Sequence, residues 1–109
     1  MKRKKREAIY ESACKAYGLQ DRMFKAIEEM GELQAAISRY IAGTDGHDYW
    51  ENNDNLIEEI ADASIMMEQL VYIFDDLTTK SGLTYKQVRN EKLHRLSALT
   101  RKKMESVAV

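Results

Sequence analysis

The chain has 109 residues, 44% of them hydrophobic and 32% charged, with a formal net charge of -1. That length holds one domain with a single modest core, and the charge balance excludes a global field that would draw it to nucleic acid. The sequence contains no proline and one cysteine, Cys14, which excludes an internal disulfide, fits a reducing cytoplasm and reads as a small buried hydrophobe.

Abundant Ala, Leu, Glu, Lys, Gln, Arg and Met predict an all-α fold. The first helix is expected over residues 4–17, stopped by Gly18. Ahead of it, residues 2–6 form a basic head, matched by a basic patch at 101–103. These are either solvated helix ends or a contact for nucleic acid or an acidic partner. The head lacks a following apolar stretch, and no apolar run reaches the roughly 18 residues of a bilayer span. Neither export nor a membrane is therefore expected, and the location is read as cytoplasmic.

A second helix is predicted over residues 21–42, with Asp21 as N-cap and Gly43 as its stop. The polar stretch GTDGHDYWENND follows as a loop. In it His47 reads as a loop residue, while Tyr49 and Trp50 either close the end of a bundle or stack on a base. A third helix is expected from residues 53–55 to about 75, with Asn55 as N-cap and Glu58 three residues on, as in a capping box. The connector LTTKSGL carries Lys80, which could reach a phosphate. Thr84 opens the fourth helix with TYKQ, a second capping box, and this helix runs to about residue 104. Four such helices make a four-helix bundle-like domain over the whole chain.

Two stretches, IEEMGELQAA (from Ile27) and LIEEIADASI (from Leu56), each follow a double glutamate with another acid three residues later. Like charges three or four apart weaken an isolated helix by a few tenths of a kcal/mol per pair, so the repetition needs a cause. At about 100° per residue, Glu29 lies at the edge of the apolar arc of its helix, Glu32 about 60° further out, and Glu28 further still. That arc includes Tyr40, Leu33, Ala26, Ile37, Met30, Ile41 and Ile27. On the third helix Glu59 takes the same edge and Asp62 lies about 60° beyond it, beside Ala63, Leu56, Met66, Met67, Ile60 and Ile57. Antiparallel packing of the two helices would bring four carboxylates together. They would repel, and their pKa values would rise, unless a cation sat among them. Carboxylate oxygens suit a hard divalent ion, magnesium or manganese. The alternative is solvated surface acid.

A ferritin-like di-iron centre would need two Glu-x-x-His pairs. The chain has one, Glu91 with His94, and both fall outside the apolar arc of the fourth helix. Lys92 lies inside that arc and Arg95 at its rim. Lys92 is read as snorkelling along apolar neighbours or, with Arg95, as receiving a phosphate. Ile65 and Tyr72 lie away from the apolar arc of the third helix, so that helix is either central or covered by another subunit.

The motif EEMGE (Glu28, Glu29, Glu32) followed by EIAD (Glu59, Asp62) resembles the E-E-x-x-E and E-x-x-D signature of the MazG-like all-alpha nucleoside triphosphate pyrophosphohydrolases, relatives of the dimeric dUTPases. The GEL context and the downstream KLHRL add to the likeness, which covers about residues 21–99. The resemblance implies magnesium ligands at Glu29, Glu32, Glu59 and Asp62, and phosphate contacts at Lys92 and Arg95. It leaves Glu28 to orient a water or a second metal, and names no dedicated base. It also implies hydrolysis of a nucleoside triphosphate to monophosphate and pyrophosphate, and assembly as a homodimer or homotetramer with sites near subunit interfaces. A non-catalytic helical module, docking through its basic ends, is the alternative reading.

Overall fold

A computed structural model of the chain describes residues 1–43 and 49–107. Four α-helices follow in order: α1 (Arg3–Tyr17), α2 (Leu19–Ala42), α3 (Tyr49–Ile73) and α4 (Tyr85–Val107). Among the described residues there is no strand, only an isolated antiparallel bridge between Thr78 and Thr84. The all-α expectation is met. No described helix is long and apolar enough to cross a membrane. His47 lies outside the described residues. The chain divides into two compact units, Met1–Ile73 and the segment from Phe74 onward.

In the first unit a single residue joins α1 to α2. Gly18 has φ 90°, where a Cβ would be strained, and its N–H donates to the Cys14 carbonyl at 2.8 Å. Its own carbonyl accepts from the Arg22 N–H at 3.2 Å, so the same glycine heads α2. Asp21, expected as the N-cap, instead lies inside the first turn of α2, where its charge favours the helix dipole, and pairs with Arg22 at 2.5 Å.

α2 and α3 run antiparallel. Arg39 near the end of α2 donates to Asn55 near the start of α3 at 3.1 Å, while Glu29, earlier on α2, meets Glu59 and Asp62, later on α3. The buried positions are Ala26, Glu29 and Ala36 on α2 and Ala63, Met66 and Gln69 on α3. Alanine at the contact allows helix axes to approach at the close end of about 8–10 Å. α1 is clasped to α3 through Glu68. Arg6 Nε and the buried Tyr10 hydroxyl each donate to Glu68 Oε1 at 2.6 Å, and the Tyr10 and Tyr72 rings meet at 6.2 Å.

Two expectations are corrected here. α3 begins at Tyr49, so Asn55 is an interior residue that accepts from Arg39, not an N-cap, and Glu58 is not at a third helical position. The asparagines and aspartate that read as loop cost a helix only about 0.7 kcal/mol each or less, which tertiary contacts override. Secondly, much of the expected core face is uncovered: Ile27, Ile41, Ile57 and Ile60 are each more than half exposed. Periodicity marks an apolar stripe and does not say what covers it.

In the second unit, the Thr79 N–H donates to the Leu83 carbonyl at 2.9 Å, closing the turn ahead of α4. The TYKQ capping box forms as expected: the Gln87 N–H donates to Thr84 Oγ1 at 3.2 Å, and the Thr84 N–H to Gln87 Oε1 at 2.9 Å. α4 continues to Val107 and has no fully buried residue.

Candidate metal centre

α2 presents Glu28, Glu29 and Glu32, and α3 presents Glu59 and Asp62. Two overlapping sets of three acids result, Glu28 with Glu29 and Glu32, and Glu29 with Glu59 and Asp62. In each set every residue offers one carboxylate oxygen, and these oxygens lie within 4.8 Å of one another. An octahedral magnesium ion holds oxygens at about 2.1 Å, which puts opposed ligands about 4.2 Å apart. Oxygens within 4.8 Å of one another are close to that spacing.

Burial follows the helical angles. Glu29 is 7% exposed and Glu59 half-buried, whereas Glu28, Glu32 and Asp62 face solvent. Glu29 Oε2 and Glu59 Oε2 are both sealed from solvent and have no hydrogen-bond partner among the described residues. A buried acceptor left unpaired costs roughly 1–3 kcal/mol, and more if it is charged. Two such oxygens on facing helices, amid further carboxylates, fit a divalent cation well.

Electrostatics agree with this crowding. Glu32 has its carboxyl held above the ordinary glutamate value, chiefly by the charge of Glu29, then by desolvation and by Glu59 and Glu28. The dependence on Glu59 ties Glu32 to the α3 acids. Of the four predicted ligands, Glu29, Glu59 and Asp62 fall in one set and Glu32 falls with Glu29 and Glu28 in the other, with Glu29 common to both. Lys25, which the motif reading passes over, is the cation among these acids. Its ammonium stands 3.1 Å from Glu29 Oε1 and 3.5 Å from Glu28 Oε1, and the bond to Glu29 holds it more firmly protonated than usual. The available signal was its spacing, three and four residues ahead of the two acids.

The other predicted residues have simpler settings. Lys92 and Arg95 are exposed on α4, in the second unit. Lys92 lines a shallow groove of about 350 Å³ with Tyr85, Val88, Arg89, Leu93 and Leu96, so its stem follows apolar neighbours. Glu91 and His94 are exposed and join no set of three potential ligands among the described residues. Lys80 is exposed in the turn before α4, and Cys14 is half-buried rather than buried. Tyr49 and Trp50 belong to the first turn of α3, not to a loop, and their rings meet edge to face at 5.1 Å. Tyr49 also lines a pocket of about 260 Å³ with Tyr40, Gly43 and Asn52.

Neither family models, nor curated proteins, nor solved structures give a match to this chain. The functional reading therefore stands on the residues of the site and on the motif they spell.

Proposed function

We propose that the protein is a magnesium-dependent nucleoside triphosphate pyrophosphohydrolase of the MazG-like kind, converting a ribo- or deoxynucleoside triphosphate and water to the monophosphate and pyrophosphate. Such a reaction clears unwanted nucleotides from the cytoplasmic pool. The observation that carries the reading is the pair of buried, unpartnered carboxylate oxygens on Glu29 and Glu59. Nothing in a merely solvated acidic surface calls for them.

Glu29, Glu32, Glu59 and Asp62 would hold the ion, manganese serving in place of magnesium. When bound, the metal would supply positive charge against the triphosphate oxygens, including the negative charge that develops on the leaving pyrophosphate. The motif's resemblance assigns phosphate contacts to Lys92, a point charge, and to Arg95, a two-pronged donor. Glu28, exposed beside Glu29, would orient the attacking water and take up its proton. Water adds to the α-phosphorus, the bond from that phosphorus to the α,β-bridging oxygen breaks, and pyrophosphate leaves. Positioning and electrostatics supply most of the rate in phosphoryl chemistry of this kind. Tyr40 and Tyr49 offer ring faces for a base. Tyr40 lies about 12 Å of helix rise beyond Glu32, a span suited to a nucleotide with its phosphates among the acids. A second copy of the chain would cover the exposed isoleucines of α2 and α3, giving a dimer or a dimer of dimers.

Thermal melts with and without magnesium test the carrying observation. An ion at ten times its Kd stabilises the folded state by about 1.4 kcal/mol, which for a domain of this size raises Tm by several degrees. Glu59→Gln is expected to melt at the same temperature as the wild type or higher without metal, because repulsion is relieved, and to respond weakly to magnesium. A wild-type protein indifferent to millimolar magnesium would return the chain to the helical-module reading.

A further inference from the structure

We propose that the ammonium of Lys25 fills the second cation position of the acid cluster, so that each chain takes one divalent ion where the acids alone would take two. The inference rests on the metal reading above and adds to it the number of ions and a residue that fixes it. The two sets of acids share Glu29, and each could serve as one ion's position. They are not equally free. Lys25 Nζ is lodged in the set formed by Glu28, Glu29 and Glu32, in contact with Glu29 Oε1 and Glu28 Oε1.

Glu29 thus divides its two oxygens. Oε1 faces Lys25, while Oε2 is buried and unpartnered, as is Oε2 of Glu59. The open donors belong to the set of Glu29, Glu59 and Asp62, which Glu32 would join as the ion's fourth ligand, while the charge of Glu28 and of the other Glu29 oxygen is already partly met by Lys25. An ammonium and a divalent ion cannot share the same carboxylate oxygens, because they repel and compete for the same lone pairs. Lysine suits this place: it is a compact point charge with three donors on a flexible stem, able to touch two carboxylates at once. Its stem starts one turn ahead of Glu29 on the same helix, so the cation is always at hand.

Counting bound manganese by the loss of the free-ion electron paramagnetic resonance signal tests this on the full chain. Wild type is expected to bind one ion per chain and Lys25→Met two, with the close pair visible as spin-coupled broadening. Lys25→Arg, which keeps the charge, is expected to stay at one. Lys25→Gln is measured in parallel and gives the same answer if the methionine variant does not fold. Two ions in wild type, or one in wild type and in both uncharged variants, overturns the role of Lys25 while leaving the metal reading intact. No bound manganese in any of these chains removes the metal reading, and this inference with it.

Discussion

Glu68 shows how much one carboxylate can organise when its partners are donors rather than other acids. One of its oxygens accepts from both Arg6 and Tyr10, and its carboxyl is held below the ordinary glutamate value, first by the Tyr10 hydroxyl and then by Arg6. Tyr10 answers in the opposite sense. Burial first, and then the bond to Glu68, push its phenol up to about 12. The folded state therefore holds the phenolic proton more tightly than the unfolded chain. Stability contributed by this group is complete below the ordinary tyrosine value of 10.0 and is lost as pH rises from there towards about 12. Tyr10→Phe is expected to cost on the order of 1 kcal/mol at neutral pH, through the lost hydrogen bond. It should also flatten the alkaline fall of stability relative to wild type, read from urea melts at stepped pH. An equally steep fall in both proteins would contradict the assignment. Arg6 is accordingly engaged in the fold, which leaves less of the basic head to serve as a docking patch.

At the level of elements, the sites easiest to read from sequence are those fixed by local geometry. The Thr84 capping box needs only two side chains and the helix they open, and it forms as written. Thr84→Ala is expected to cost about 0.5–2 kcal/mol, seen as lost α4 helicity or a lower melting point, whereas Thr84→Ser should retain most of it. The acid pairs are legible for the same reason: a spacing of three at about 100° per residue sets Glu29 and Glu59 at the core edge before any tertiary structure is known. Their burial at those edges follows. The start of α3 is not legible, because Asn52, Asn53, Asp54 and Asn55 carry a local preference for turns, yet all four lie within the helix. Gly18 is legible as the end of α1 but not as the start of α2, since one residue at φ 90° performs both tasks. Lys25 was within reach of sequence reasoning by its spacing, yet acquires meaning only once Glu29 is seen to have one paired and one unpaired oxygen.

For the whole molecule, the exposed apolar side chains on α2 and α3 weigh most. Ile27, Ile41, Ile57, Ile60 and Ile65 are all more than half exposed. Fully burying such a side chain is worth about 1.5–3 kcal/mol, so their joint coverage by a second copy would be a large driving force. Light scattering behind gel filtration should give a multiple of the 12.6 kDa chain mass. Ile57→Asp should move the protein towards a single chain while its helicity persists. A wild type that runs as one chain at high micromolar concentration would leave the exposed face unexplained and argue against the expected assembly. The sequence carries the stripe, but periodicity alone does not say which surface covers it.

The central claim, that Glu29, Glu32, Glu59 and Asp62 serve a hydrolase acting on nucleoside triphosphates, is tested most directly by separating reaction products on an ion-exchange column. A panel of ribo- and deoxynucleoside triphosphates, ordinary and damaged, would be incubated with magnesium and either wild type or Glu59→Gln. The expected result is monophosphate and pyrophosphate in equal amounts from wild type, slowed on the order of 100-fold or more in Glu59→Gln. Diphosphate and phosphate would contradict attack at the α-phosphorus. No product from any nucleotide, from a protein that melts cooperatively, would contradict the enzyme altogether.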